Sequence, residues 1–278
     1  MKELLKKYYG IEIDNYRKYN NGIIFFINGD YYYLCQCVFT LEEVLKSYDL
    51  SLQLKNKNIL LHDFVYNNDN NLISENFVLF KMNVLVDVID YNDLRKVNVF
   101  FDYDLKDDFY LLWTNKIDAL EKNIINNSDD ITIAYSFDYF IGLAELLLIF
   151  YKDNVLSSNS NYIVHRCFYN LSTIDFYNPL NIIIGNKYKD IAIYIRLSND
   201  WKLLYNVLDN INEFDRVELF VRLTFPFEYF HLLYDSIDGM NFDKISLLIG
   251  DLDKYENYLI KISELFGYDI FDFIKKYN

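Results

Sequence analysis

Residues 163–196 read IVHRCFYNLSTIDFYNPLNIIIGNKYKDIAIYIR, and this stretch decides the fold. It combines a turn around His165, an apolar strand at Ile182–Ile184 and a helical segment at Ile191–Leu197, with Asp190 just before that segment. A carboxylate at a helix start can accept backbone N–H bonds, cap the helix and brace the preceding loop. We therefore assign Asp190 an architectural role.

The composition is that of a globular protein with a sizeable core. Of the 278 residues, 52% are hydrophobic and 24% are charged. The 27 Tyr and 23 Phe beside only 8 Gly and 2 Pro are explained by AT-rich codon usage, so they indicate no functional aromatic surface. The formal net charge of −14 repels phosphates, which argues against general binding to nucleic acids or anionic membranes.

The cysteines, the histidines and the apolar segments limit which cellular compartment and which kinds of site the sequence allows. Cys35, Cys37 and Cys167 are an odd number without framework spacing, and the three His add no metal-ligand spacing. The longest apolar run is interrupted by Glu145 and is too short for a membrane span, and the first residues lack the apolar core of a secretory signal. We predict a cytoplasmic protein with no membrane span, no metal and no cofactor.

The first eighty residues alternate strands with one helix. Strands are predicted at Ile23–Ile27 and Tyr31–Val38, because Asn28-Gly29 between them tolerates the positive φ of a tight hairpin. A helix is predicted at Leu41–Leu54, with Thr40 as its N-cap and Glu43 three residues further on. Two more strands are predicted at Leu60–Tyr66 and Asn76–Lys81.

The pattern becomes helical from about residue 92. Phe137–Tyr151 is apolar on nearly every side, which predicts a central helix buried all round, with Glu145 as a satisfied core carboxylate or an interlobe contact. Further helices are predicted at Ile191–Leu197, Trp201–Asn210, Phe214–Asp235, Phe242–Gly250 and Lys254–Phe266. The fold class is therefore α+β, with a small β-rich N-lobe over residues 1–85 and a larger helical C-lobe over residues 86–278.

Several segments, in order, resemble the bacterial spore-coat kinase-like family, whose relatives are aminoglycoside phosphotransferases and choline kinases. The matching segments are Leu112-Trp113, Tyr139-Phe140-Ile141-Gly142-Leu143-Ala144-Glu145, His165-Arg166, Tyr177-Asn178-Pro179, Asp190-Ile191-Ala192 with Tyr194-Ile195-Arg196, and Arg222-Leu223 with Phe225-Pro226. The resemblance implies a two-lobed protein-kinase-like fold and an ancestry in ATP-dependent phosphate transfer.

The sequence departs from that family where the nucleotide phosphates would be bound. Active relatives carry a Lys on the third strand, whereas the matching strand here has Cys35 or Gln36 at that place. Neither side chain supplies a positive charge. The segment Tyr16–Gly22 offers a single Gly in place of a Gly-rich loop. In active relatives a Glu of the next helix, here Glu42 or Glu43, would pair with that Lys; without the Lys, both are interpreted as ordinary residues of a solvated helix start.

The sequence also departs from active relatives at the positions of the catalytic carboxylate and of the metal-binding carboxylate. In active relatives an acidic residue soon after the His accepts the hydroxyl proton, but Arg166 is always protonated and cannot do so. His165 is then expected to be structural and to donate to backbone carbonyls. Asp175 matches the metal ligand in one alignment. The favoured alignment, anchored at Asn178-Pro179, places Asn186 there, and one carboxylate alone holds magnesium poorly.

Cys35, His165, Arg166, Asp175, Asn186 and Asp190 are therefore predicted to line a degenerate cleft that holds no catalytic residue. The first hypothesis is a pseudokinase with a structural or binding role, associated with the spore coat and with a coat protein or another protein as its partner. The second is a small-molecule phosphotransferase with a rearranged ATP site. The third is a protein whose former nucleotide cleft binds an unrelated metabolite.

Overall fold

The computed structural model describes residues 1–85, 88–101, 109–127, 131–155, 161–166, 168, 170–237 and 242–272. Cys167 lies outside these residues. The chain packs as two compact units. The sheet unit comprises Met1–Tyr103 and Tyr162–Asp190, and the helical unit comprises Asp104–Asn161 and Ile191–Asn278. The lobe boundary predicted after residue 85 stays a prediction.

The elements follow one another in a simple order. The first 103 residues contain α1 (Lys2–Leu4), a π-helical turn (Leu5–Tyr9), β1 (Arg17–Tyr19), β2 (Gly22–Ile27), β3 (Asp30–Gln36), α2 (Leu41–Asn56), β4 (Asp63–Val65), β5 (Ile73–Ser74), β6 (Phe77–Lys81) and α3 (Tyr91–Val97). The long helices α4 (Phe109–Asn127) and α5 (Ile131–Asn154) follow. Then come β7 (Tyr162–His165), α6 (Thr173–Phe176), a 3-10 turn (Pro179–Asn181), β8 (Ile182–Gly185), α7 (Tyr188–Ser198), α8 (Trp201–Leu208), α9 (Glu213–Thr224), α10 (Phe227–Ile237), α11 (Phe242–Gly250) and α12 (Leu252–Phe266).

An antiparallel sheet forms the centre of the sheet unit. Its strand order is β1-β2-β3-β6-β4, and β5 pairs with β6. The turn between β2 and β3 has positive φ at Asn28 (54°) and at Gly29 (88°), as the two-residue hairpin requires. The predicted hairpin is therefore confirmed. β7 and β8 form a separate two-stranded antiparallel ribbon.

The helix predicted after this hairpin is also confirmed, and so is its start. Thr40 is the N-cap of α2, and its side chain accepts from the backbone N–H of Glu43. The carboxylate of Glu43 accepts in return from the backbone N–H and the hydroxyl of Thr40, both at 2.8 Å. These hydrogen bonds hold the pKa of Glu43 below its usual value. Glu43 is therefore occupied by the helix start, as interpreted from the sequence.

Gly22 is required where β2 pairs with β3. A Cβ at this position would stand 2.3 Å from the carbonyl oxygen of Leu34 and 2.8 Å from the ring of Tyr33. We therefore expect Gly22→Ala to lower the free energy of unfolding by about 1–3 kcal/mol, the usual cost of overpacking. Urea denaturation would measure this.

Gly142→Ala is the matched control for that substitution. Gly142 lies on an exposed face of α5, and a Cβ added there would meet no neighbouring group of the described residues within 4 Å. The better helix propensity of Ala should raise the free energy of unfolding by up to about 1 kcal/mol. Equal effects of the two substitutions would contradict the packing argument.

Two predicted helices and one strand differ from the structure. The segment predicted as one helix over Phe214–Asp235 forms α9 and α10, because Pro226 pushes the residue before it, Phe225, into an extended conformation with ψ 134°. α5 is exposed along one side, at Gly142, Glu145 and Ile149, so the helix is not buried all round. Glu145 is therefore a surface residue. The predicted strand over Leu60–Tyr66 shortens to β4.

Within the described ranges, none of the helices combines the length and the apolar character that a bilayer crossing would need.

Candidate functional site

The six residues predicted to line the cleft all belong to the sheet unit. β7 ends at His165, and Asp190 lies in the first turn of α7. Between them, α6 and the 3-10 turn place Ile174 and Leu180 in the same apolar cluster as one face of the main sheet. This arrangement packs α6 and the 3-10 turn against the main sheet.

His165 is buried and has hydrogen-bond partners on both sides of its ring. Nδ1 lies 2.6 Å from Oδ2 of Asp190, and Nε2 lies 2.7 Å from the backbone carbonyl oxygen of Phe176. The backbone N–H of His165 donates to both carboxylate oxygens of Asp190, at 3.0 and 3.2 Å. Asp190 therefore braces the end of β7, and its own carboxylate is fully buried.

The chemistry of this pair follows from the partners. A carbonyl oxygen only accepts, so Nε2 of His165 must carry a proton and donate it to Phe176. On the other side of the ring, Nδ1 lies 2.6 Å from the carboxylate of Asp190. Both ring nitrogens are thus occupied inside the fold, which agrees with the predicted structural role of His165.

Asp175 of α6 lies beside the tip of the β1–β2 hairpin. The hydroxyl of Tyr19 donates to Oδ2 of Asp175 at 2.8 Å, and the amide of Asn20 is 3.5 Å from both carboxylate oxygens. Burial raises the pKa of Asp175 above its usual value, although the hydrogen bonds from Tyr19 and Asn20 oppose the shift. Asp175 is therefore a half-buried carboxylate whose oxygens already accept hydrogen bonds from the chain.

The sheet face beside Asp175 is packed with apolar and aromatic side chains. Cys35 and Tyr33 of β3 are 6% and 4% exposed, and they belong to one cluster with Ile174 and Leu180. The ring of Tyr19 contacts that of Tyr33 edge to face, with centroids 5.8 Å apart. Burial raises the pKa of the Cys35 thiol, and the charges of Cys37 and Asp175 add to the effect.

Arg166 and Asn186 serve local structure. The guanidinium of Arg166 lies over the ring of Phe39, 4.8 Å from its centroid. Such a cation–π contact contributes about 0.5–1 kcal/mol at an exposed site. Asn186 is buried, and its side-chain oxygen accepts from the backbone N–H of Tyr188 at 2.8 Å, at the start of α7. Asn186 therefore helps to begin this helix.

Sequence reasoning identified Asp175 but missed the residues that hold it. Tyr19 and Tyr33 were not singled out, and Asn20 counted only as part of a weak phosphate-loop pattern. The available signal was the asparagine-rich hairpin tip before Gly22, which indicates a tight turn. In the described part of the chain, no group of three or more His, Cys, Asp or Glu side chains is arranged to hold a metal ion.

No protein-family model matches the sequence, and no curated protein matches it either. Solved structures, in contrast, share its fold. An aminoglycoside phosphotransferase from Alicyclobacillus acidocaldarius matches with a TM-score of 0.60 and 13% identity over 93% of this chain and 94% of that one. A spectinomycin phosphotransferase in complex with ADP and spectinomycin gives 0.53 and 13% over 96% of both chains. A choline kinase from Streptococcus pneumoniae gives 0.56 and 8% over 94% of this chain and 97% of its own.

At these identities the likeness establishes the fold alone. The chain has an α+β, kinase-like fold with an antiparallel sheet in its N-lobe and a mostly helical remainder. The predicted fold class is therefore confirmed. Membership of the spore-coat family stays a prediction.

Proposed function

We propose that this chain is a pseudokinase: a protein with the fold of small-molecule kinases that does not transfer phosphate and acts by binding. The observation that carries the proposal is the packing of Cys35. In the kinase pattern a Lys on the third strand meets the nucleotide phosphates. The matching strand of this chain has Cys35 or Gln36 at that place, and Cys35 is a buried thiol within an apolar cluster.

Electrostatics support this reading. A nucleotide phosphate brought next to Cys35 would lose hydration without gaining a positive partner, and burying an unpaired charge costs far more than an ordinary contact returns. The half-buried carboxylate of Asp175 would repel the phosphate further unless a cation intervened. The site is therefore unfavourable for a nucleotide in both charge and hydration.

The remaining site residues support the same proposal. His165 is occupied by Asp190 and Phe176, and Tyr19 already donates to Asp175. Each of these groups stabilises the fold of the sheet unit. None of them presents a proton acceptor suited to a substrate hydroxyl, which a phosphate transfer requires.

Thermal unfolding with and without ATP and Mg²⁺ tests the proposal. A ligand at a hundred times its Kd adds about 2.7 kcal/mol to stability. In a chain of this size that would raise Tm by several degrees. We expect no such rise, for the wild type or for Asp175→Ala. A rise in Tm that needs Mg²⁺ and disappears in Asp175→Ala would overturn the pseudokinase proposal.

The alternative is a small-molecule phosphotransferase with a rearranged site. One observation favours it: Asp175 lies beside the tip of the β1–β2 hairpin, and a carboxylate there could hold magnesium once Tyr19 moves aside. Under this alternative, Lys189 or Arg166 would supply the missing positive charge. The Mg²⁺-dependent rise in Tm described above is its expected result. An activity assay should then show transfer of the γ-phosphate of ATP to a hydroxyl group of an aminoglycoside or of choline.

A protein partner, and within that class a spore-coat protein, is the finer part of the proposal. It is supported by the family resemblance and by three exposed apolar side chains along α2, namely Leu41, Leu45 and Leu52. A fluorescent fusion followed through sporulation of the source bacterium tests it. Signal at the forespore surface is expected, whereas diffuse signal or a host that forms no spores would contradict a coat role.

A further inference from the structure

A small pocket lies in the helical unit, lined by residues of α7, α8, α10 and α12. Its volume is about 200 Å³. Trp201, Tyr255 and Tyr258 form aromatic walls, and Arg196 and Glu228 supply the charged groups of the lining. Drug-sized sites begin at roughly 300 Å³, so this pocket suits a molecule of one ring.

The chain itself fixes the aromatic walls. The hydroxyl of Tyr255 donates to the carbonyl oxygen of Thr224 at 2.9 Å, and that of Tyr258 donates to the carbonyl oxygen of Leu223 at 3.3 Å. The protons of both hydroxyls are therefore already used. The ring centroid of Trp201 lies 6.1 Å from that of Tyr258. These three side chains offer a ligand aromatic surface.

The guanidinium of Arg196 keeps donors that the chain does not use. Nη1 donates to the carbonyl oxygen of Phe225 at 3.1 Å, whereas Nη2 lies 3.9 Å from Oε2 of Glu228, beyond hydrogen-bond distance. Among the described residues, Nε and Nη2 have no hydrogen-bond partner, yet neither is one of the buried polar atoms that lack one. The side chain is 20% exposed. A ligand can therefore reach this edge of the guanidinium.

It is the charged end of Arg196, and not only its stem, that lies at the pocket. The neighbouring carboxylate of Glu228 belongs to the lining. Burial raises the pKa of Tyr255 and raises that of Tyr258 to about 12, and the positive charge of Arg196 opposes both shifts. Such an effect requires the guanidinium to be close to the two hydroxyls. Three lining residues thus surround it.

The charges of the pocket favour an anion. The side chain of Glu228 is 73% exposed, so its carboxylate is hydrated and screened, whereas the more enclosed guanidinium of Arg196 acts strongly on a charge beside it. Nζ of Lys261 lies over the ring of Trp201, 3.5 Å from its centroid, and adds a second cation at this wall. A planar carboxylate matches the paired donors along one edge of a guanidinium.

We propose that this pocket binds a small carboxylate with a body of one apolar ring, whose oxygens accept hydrogen bonds from Nε and Nη2 of Arg196. The ring packs against Trp201, Tyr255 and Tyr258. The site lies within the helical unit and uses none of the residues predicted to line the cleft. It is therefore independent of the pseudokinase proposal.

Three probes with the same ring and different charges test this proposal by NMR. Benzoate carries a carboxylate, benzamide is neutral, and benzylamine is a cation at neutral pH. The chain has two Trp, so Trp201→Phe identifies the indole N–H resonance of Trp201. We expect benzoate to shift that resonance and to bind at least about tenfold more tightly than the other two probes.

Two variants change the charge of the pocket in opposite directions. Arg196→Met keeps a long side chain without the guanidinium, and it should weaken benzoate binding at least about tenfold while changing benzamide binding by less than about twofold. Glu228→Gln, at an exposed position, leaves Arg196 in place and should tighten benzoate binding by about two- to fivefold. Asp153→Asn removes the same charge at an exposed position of α5 and should leave binding unchanged.

Circular dichroism establishes that each variant folds, and if Arg196→Met does not fold, Glu228→Gln decides. The proposal is overturned if benzoate leaves the Trp201 resonance unshifted, or if benzamide or benzylamine binds as tightly as benzoate. Wild-type affinity for benzoate in folded Arg196→Met or in Glu228→Gln would overturn it as well.

Discussion

Asp190→Ala is expected to lower the free energy of unfolding by about 2–6 kcal/mol, because it leaves two buried groups of His165 without a partner at about 1–3 kcal/mol each. The carboxylate of Asp190 accepts from the backbone N–H of His165 and contacts its Nδ1, and both side chains are at most 1% exposed. Without it, two buried N–H or ring nitrogen groups lose their partner at once. Urea denaturation followed by circular dichroism would measure the loss.

Two further substitutions serve as a conservative variant and as a surface control for this prediction. Asp190→Asn keeps an acceptor for the backbone N–H of His165 and an amide for its ring, so it should cost less than Asp190→Ala. Asp153→Ala, at an exposed position of α5, should change stability by less than about 0.5 kcal/mol. If Asp190→Ala is as mild as Asp153→Ala, then Asp190 does not brace the end of β7.

The second large effect is expected in the helical unit. Glu218 and Arg222 form an ion pair one turn apart on α9, and both are nearly fully buried, at 1% and 3% exposed. The hydroxyl of Tyr151 donates to the second oxygen of Glu218 at 2.6 Å. The guanidinium of Arg222 also lies over the ring of Phe109. Glu218→Leu would leave the guanidinium buried without its carboxylate, and we expect a loss of about 3–5 kcal/mol.

A double replacement separates the cost of the unpaired charge from the cost of altered packing. Glu218→Leu combined with Arg222→Met removes both charges and keeps the volume, and such replacements are often close to neutral. We expect the double variant to recover the part of the loss that the unpaired guanidinium causes, whereas the hydroxyl of Tyr151 lacks its Glu218 acceptor in both variants. Equal losses in the single and double variants would show that packing, rather than the unpaired charge, sets the cost. The measurement is again chemical denaturation, as a double-mutant cycle.

The parts of the fold that were predictable depend on local signals. Asn28-Gly29 gave the hairpin because only residues that tolerate positive φ fit there, and Thr40 with Glu43 gave the helix start because their hydrogen bonds span three residues. The break before α10 had a local signal in Pro226. It was missed because the apolar spacing continues on both sides of that proline.

The candidate site was predictable only in part. Asp190 was recognised from its place at the start of a helix, and the absence of a Lys near Cys35 was visible in the sequence. The contact between Tyr19 and Asp175 joins residues 156 positions apart, and no periodic pattern encodes such a pair. The exposure of Glu145 was likewise missed, because a helix with many apolar residues does not show in sequence which side lacks a neighbour.

The packing around Cys35 also constrains how this sequence can evolve. A lysine at that position would carry an ammonium group into a cluster that contains Tyr33 and Ile174, at a cost of several kcal/mol, while Tyr19 would still hold Asp175. Since a typical domain is stable by only about 5–15 kcal/mol, a lysine at this position would remove a large share of the stability of the fold. Under the pseudokinase proposal, a change towards nucleotide binding would therefore need substitutions at several positions of this cluster at once.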